Sequence, residues 1–304
     1  MKHAQQNRPH WLIWAAGGVL AAALLIGLVV WALGTADPAP EKPGPSVIPD
    51  ATEDPGILFD DLYSGPRYIP RFDFPRNEYD TEKFTEADGF LRYDSPGACI
   101  GVDVSEFQGS IDWQQVKDAG IDFCILRAGY RGLTQGKLNE DSRFEENLAG
   151  AEAAGLKVGV YFFSQAVSES EARKEADFVL ERIKGHEITY PVVFDWEPPQ
   201  RGGEIADEDL RGLQVTGEQV TEFAKVFCER IKKAGFTPCV YTNKHLGYSF
   251  FDWTQLKDYD LWYAEYQPAP SFYYGFRIWQ YTETGQVPGI SSAVDVDICF
   301  EDYA

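Results

Sequence analysis

Asp195 and Glu197 stand two residues apart at the end of the apolar run Pro191-Val192-Val193-Phe194, in a chain of 304 residues. The run is short and bounded by Pro191 and the Pro198-Pro199 pair, which leaves no room for a helix and predicts a buried strand. Residues i and i+2 of a strand leave the same face about 6.5 to 7 Å apart, so both carboxylates point into one space. Two carboxyls sharing a space suit hydrolysis of a glycosidic bond. One stays protonated and delivers its proton to the bridging oxygen, while the other, ionised, stabilises positive charge growing at the sugar carbon. A D-x-E triplet is also common by chance, and a solvated strand end with two surface acids fits this stretch equally well.

The elements that must position the pair follow from the pattern after Ala98. Apolar runs recur at Cys99–Val104, Phe123–Ala128, Val158–Phe163, Pro191–Phe194, Pro238–Tyr241, Leu261–Ala264, Phe276–Tyr281 and Val294–Cys299. Helical stripes lie between the early ones: Phe144, Leu148, Ala151 and Leu156; Ala172, Ala176, Val179 and Ile183 after a capping-box pattern at Ser168; and Val220, Phe223, Phe227 and Ile231 ahead of Gly235. Strands alternating with helices imply a parallel sheet, and eight strands in about 200 residues imply an α/β, TIM-like closed barrel. Short links between the last three strands leave its helical ring incomplete. Active sites of such barrels lie at the strand ends of one face. Asp103, Asp195, Glu197, Asp295 and Asp297 fall near such ends, in company with Tyr161, Trp196, Tyr241, Trp262, Tyr266 and Trp279. Aromatic rings beside carboxylates suit sugars, whose C–H faces are apolar and whose hydroxyls need polar partners. Taken singly, each ring reads equally as core.

Seven ordered segments carry a family resemblance: Gly101-Val102-Asp103-Val104-Ser105 with Gln108-Gly109-Ser110-Ile111-Asp112-Trp113, Phe123 to Ala128, Gly159 to Phe163, Asp195-Trp196-Glu197, Leu261 to Ala264, Trp279-Gln280-Tyr281, and Val287-Pro288-Gly289-Ile290 through Val294-Asp295-Val296-Asp297. Together they resemble the glycoside hydrolase family 25 lysozymes over residues 98–304. The resemblance implies a modified barrel of five β/α units and three further strands. It also implies cleavage of the β-1,4 bond between N-acetylmuramic acid and N-acetylglucosamine in peptidoglycan glycan strands. By position, Glu197 becomes the general acid and Asp195 its partner, with Asp103 and Asp295 lining the same pocket. Two departures stand out: Tyr161-Phe162-Phe163 replaces the family's common Tyr-His-Phe, and Asp297 stands where Asn is common. A non-catalytic wall-binding module and a chitin-directed hydrolase are the alternatives. The latter's longer acidic run before the glutamate is absent from Tyr190 to Glu197.

Ahead of the barrel, Trp11 to Gly34 carry no charge, and at about 1.5 Å per residue they are long enough for a single transmembrane helix. Lys2 and Arg8 precede this stretch and the first acid is Asp37, so the positive-inside bias puts residues 1–10 in the cytoplasm and the C-terminal domain outside the cell membrane. A cleaved signal peptide, with its shorter apolar core, is the competing reading. Residues 35–56 hold six prolines and read as an extended linker, and 57–97 as an aromatic-rich lead-in packed at least in part on the main domain. The formal net charge of −21 argues against nucleic acid as a partner. The bilayer, through the first helix, and peptidoglycan are the partners expected, and no feature points to an oligomer. His186 and His245 are each isolated from Cys or acid clusters at ligand spacing, so neither a metal site nor a cofactor is expected. The five cysteines read as small buried hydrophobes, and their odd number leaves at least one unpaired within the chain.

Overall fold

Residues 57–97 form two antiparallel hairpins, β1 (Ile57–Asp61) with β2 (Gly65–Ile69), and β3 (Phe84–Ala87) with β4 (Phe90–Tyr93). The computed structural model describes residues 55–303. The expected N-terminal tail at 1–10, the membrane helix at 11–34 and nearly all of the 35–56 linker lie outside the described residues. Among the described residues no helix is long and apolar enough to cross a membrane.

The eight apolar runs become the strands of a barrel; two keep the bounds of the run and the other six differ from it by a few residues. They are β5 (Cys99–Val104), β6 (Phe123–Arg131), β8 (Lys157–Ser164), β9 (Val192–Trp196), β10 (Pro238–Asn243), β11 (Asp260–Ala264), β12 (Ile278–Gly285) and β13 (Val294–Cys299). A short strand, β7 (Leu138–Glu140), folds back antiparallel on the end of β6. The order β5-β13-β12-β11-β10-β9-β8-β6 closes on itself because β5 also pairs with β6. Seven strands run parallel, while β13 runs antiparallel to both neighbours. That reversal is a correction: the mouth end of the last strand is its beginning, at Asp295, and Asp297 lies a step deeper.

Five strands are followed by helices: α1 (Trp113–Asp118), α2 (Phe144–Ala153), α3 (Glu169–Arg182), α4 (Gly217–Lys233), then the short pair α5 (Lys244–Ser249) and α6 (Trp253–Leu256). Thr216 and Gln219 form a reciprocal capping box at the start of α4, whose Val220, Phe223, Phe227 and Ile231 are buried. At α3 the expected box is half made. Ser168 accepts from Glu171 N, but the Glu171 carboxylate turns to Val167 N and Arg211 instead.

Strand alternation divides the core in two. Alternate positions such as Phe123, Ile125, Val193, Cys239 and Trp262 pack together inside the barrel, while Val192, Phe194, Val240 and the helix faces form the layer around it. Gly101 is required by this packing, since a Cβ there would meet the Phe123 ring at 2.2 Å. All five cysteines are free thiols, and Cys99 and Cys299 stand opposite each other across β5 and β13.

Candidate active site

Alternation along β9 sends Asp195 inward and Trp196 outward, and Glu197, the next residue, turns inward again. The barrel mouth above them is a cavity of about 250 Å³ lined by Asp103, Arg127, Tyr161, Asp195, Glu197, Tyr241, Trp262, Tyr266, Gln280 and Asp295, among others. Pockets that enclose a drug-sized ligand run to about 300–1,000 Å³, so this opening is a small one.

Eight of the expected residues therefore meet: Asp103, Asp195, Glu197, Asp295, Tyr161, Tyr241, Trp262 and Tyr266. Three do not line the cavity. Trp196 is fully buried outside the barrel wall and packs on Phe250 with ring centroids 5.6 Å apart. Trp279 is buried likewise, 5.2 Å from the Phe84 ring, with its Nε1 donating to the Glu265 carbonyl. Both follow from parity: neighbours of an inward residue must point outward. Asp297 faces inward but lies beneath the cavity floor, fully buried, where its Oδ1 accepts from Trp262 Nε1 at 2.8 Å. It holds a ring of the site and does not line it. The Phe162 departure is also silent at the mouth, since this ring packs outside against Phe178 at 5.5 Å.

The local pattern alone did not single out Gln280 and Arg127. Gln280 Nε2 donates to Asp103 Oδ2 at 2.7 Å, while its Oε1 accepts from the hydroxyls of Tyr266 at 2.9 Å and Tyr241 at 3.3 Å. The signal was present: Ile278 and Gln280 share a parity opposite to Trp279. Arg127 is the single cation among the described lining residues, and it is pinned by Asp141 at 2.7 Å and Glu106 at 2.9 Å. A charged residue inside the apolar run Phe123–Ala128 was its mark. Gln165 supports the site from below by donating to the Glu197 carbonyl at 2.7 Å.

The electrostatics follow from burial. Desolvation raises the Glu197 carboxyl above its ordinary range. Asp195 is pushed well up, first by burial and then by the charge of Glu197, with Arg127 opposing. Both carboxyls therefore hold a proton more tightly than an exposed carboxyl would. Asp195 Oδ1 is buried and meets no hydrogen-bond partner in the protein. Opposite, Asp103 is raised well above its usual value by burial and by Asp295 and Asp297. Among the described residues no three His, Cys, Asp or Glu are grouped to hold a metal ion.

The chain folds as an eight-stranded α/β barrel with carboxyls and aromatic rings gathered at one mouth. It resembles the crystal structure of a bacterial lysozyme from Streptomyces coelicolor, with a TM-score of 0.51 and 26% identity over 67% of this chain and 92% of that one. The chain belongs to glycosyl hydrolases family 25, whose family model matches residues 102–290. It is 28% identical over 198 residues to the autolytic lysozyme of Clostridium acetobutylicum, covering 65% of this chain and 54% of that one. It is 30% identical over 209 residues to lysozyme M1 of Streptomyces globisporus, covering 64% and 65%. The chain thus spans between about half and two thirds of the length of these relatives.

Proposed function

We propose that this protein is a peptidoglycan hydrolase, an N-acetylmuramidase that cleaves the β-1,4 bond between N-acetylmuramic acid and N-acetylglucosamine. The observation that carries the reading is the Asp195–Glu197 pair: two carboxyls lining one barrel mouth, Asp195 buried with its Oδ1 unpartnered and Glu197 half-buried beside it. The lysozyme names of the two relatives support the substrate class.

Glu197 gives its proton to the glycosidic oxygen as the bond to the sugar carbon breaks. The carbonyl oxygen of the sugar's acetamido group attacks that carbon from the other side, and Asp195 accepts the acetamido N–H, favouring the charge that develops there. Water then opens the cyclic intermediate, returning a proton to Glu197 and leaving the configuration retained. Tyr161, Tyr241, Trp262 and Tyr266 offer rings and hydroxyls to the sugar. Inversion through a water held by Asp103 or Asp295 is the competing route, and the anomeric form of the first product separates the two.

The test is digestion of purified peptidoglycan by the full chain beside Glu197→Gln, with mass analysis of the reduced products. Fragments ending in reduced muramic acid are expected from the wild type. The variant, folded normally, should be at least ~100-fold slower, the scale of general acid catalysis. Wild-type-like rates in the variant would sink the role of Glu197, and no release by the wild type would favour a wall-binding module.

The uncharged stretch 11–34 supports a membrane anchor that leaves the barrel on the wall side. Recovery of the full chain in the soluble fraction would oppose that placement.

A further inference from the structure

The β1–β2 hairpin precedes the segment matched by the family model, yet it ends in a buried acid. Asp61, the last residue of β1, is 2% exposed. Its Oδ1 accepts the backbone N–H groups of Tyr63 at 3.0 Å and Ser64 at 2.9 Å, which closes the hairpin turn on itself. Its Oδ2 points away from the hairpin, accepting from Lys244 Nζ at 2.9 Å. Lys244 opens α5, immediately after barrel strand β10, and its ammonium also lies 2.8 Å from Glu265 Oε1. One cation thus joins two carboxylates, one from the hairpin and one from the end of β11.

Glu265 anchors the loop that follows. Its Oε2 accepts Ser271 N at 2.6 Å and the Tyr263 hydroxyl at 3.0 Å, and its Oε1 accepts Ser271 Oγ at 2.8 Å, so both ends of the 265–271 loop are tied to one carboxylate. The hairpin grips the same loop a second time: the Tyr63 hydroxyl donates to the Ala269 carbonyl at 2.9 Å and accepts Ala269 N–H at 3.1 Å. Tyr266 is carried by this loop directly after Glu265. Its ring is 45% exposed at the cavity, and its hydroxyl reaches Gln280, which holds Asp103.

We propose that Asp61 and Lys244 are positioning residues for the substrate-facing ring of Tyr266, making the N-terminal hairpin a working part of the glycan site. This rests on the glycan-hydrolase reading above. A ring that stacks on a sugar gains only when its plane is fixed before the sugar arrives, because ordering a loop on binding offsets the contact. The clamp supplies that order from buried charges, which hold their geometry better than surface pairs do. Lys244 and the two backbone N–H groups keep Asp61 ionised, below the ordinary carboxylate range despite its burial.

The experiment compares the full chain with Asp61→Asn, Tyr266→Ala and the double variant. Two readouts are needed: kcat and KM on soluble, uncross-linked peptidoglycan strands, and amide hydrogen exchange across 265–271. Asp61→Asn is expected to raise KM about 5- to 10-fold with kcat within about two-fold, and to speed exchange in the loop. In the Tyr266→Ala background the same change should add nothing to KM, because the two act through one ring. Additive effects on KM, or a loss confined to kcat, overturn the proposal. Should Asp61→Asn not fold, Tyr63→Phe removes only the grip on Ala269 and must raise KM in the same direction; an unchanged KM overturns it. A wild type inert on the glycan would overturn the muramidase reading separately, and loop exchange in Asp61→Asn that matches the wild type would then overturn the clamp.

Discussion

Protons are scarce goods at the barrel mouth. Asp103 and Asp295 are directly paired across β5 and β13, with Asp297 one step below opposite Gly101. Burial first, and then the charge of Glu283, lifts Asp295 to about 6. Away from the mouth, fully buried Glu175 rises to about 7, because desolvation outweighs Arg131 at 2.6 Å and the Ser164 hydroxyl. For each of these acids the folded chain binds its proton more tightly than the unfolded chain, where carboxyls titrate near ~4. Unfolding therefore releases protons between about pH 4 and 7, and these groups stabilise the fold less as pH rises through that window. Thermal unfolding is expected at a lower temperature at pH 7 than at pH 5; a rise across that interval would contradict the assignment. Asp297→Asn should flatten this slope and raise Tm at pH 7 by about 2 °C or more, since Asn is neutral without taking up a proton on folding and its carbonyl can still accept from Trp262. The acids themselves were legible in the sequence because several of them stand at the same end of successive apolar runs, a coincidence that a single solvated strand end does not produce. Trp196 and Trp279 were misplaced because a bulky ring beside an acid suggested a sugar platform. Parity, already used to put Asp195 and Glu197 on one face, excludes both.

Helix ends and strand directions carry the next level. The α4 helix is the longest in the ring described, and Phe227 on its buried face meets Phe194 of β9 at 5.4 Å, one residue before Asp195. Its start rests on Thr216, which accepts Gln219 N–H while the Gln219 side chain returns to Thr216 N. Thr216→Ala should cost about 1 kcal/mol, the usual worth of an N-cap, and lower Tm by about 2–4 °C. A peptidoglycan rate unchanged at 25 °C would accompany that loss, because the cap stabilises the helix without touching the mouth. All eight barrel strands and the three main helices were readable from period and caps, since each buries an apolar face of its own. The reversal of β13 was not: its alternation of Val294, Val296 and Ile298 with Asp295, Asp297 and Cys299 is the same read in either direction, and only pairing with β5 sets the sense. Nor could the half-made box at Ser168 be foreseen, because Arg211, 40 residues away, competes for the Glu171 carboxylate.

The lead-in is where the chain as a whole departs from the local pattern. Residues 57–97 show no sustained period because their rings answer to partners about 200 positions away. Tyr79 stacks on Phe300 with centroids 3.6 Å apart and lies edge-on or tilted to Phe276 and Tyr93, and its hydroxyl donates to the Phe276 carbonyl at 2.5 Å. Asn77 Nδ2 donates to the Phe272 carbonyl at 3.1 Å, and Phe72 N to the Tyr274 hydroxyl at 2.8 Å. Ring contacts and hydrogen bonds of this kind, with the Asp61–Lys244 and Asp73–Lys257 ion pairs, hold the lead-in on the barrel. If the lead-in is part of the folded unit, Tyr79→Ala should cost about 2–3 kcal/mol, toward the low end for losing a buried ring since Tyr79 is half-buried. Tyr79→Phe keeps the stack and loses one hydrogen bond, about 1 kcal/mol. Both should lower the midpoint of one shared unfolding transition, in that order. A separate early transition for the lead-in, or a Tyr79→Ala midpoint equal to that of the wild type, would make residues 57–97 a spacer that merely rests on the barrel, and would remove the rigid base on which the Asp61 clamp depends.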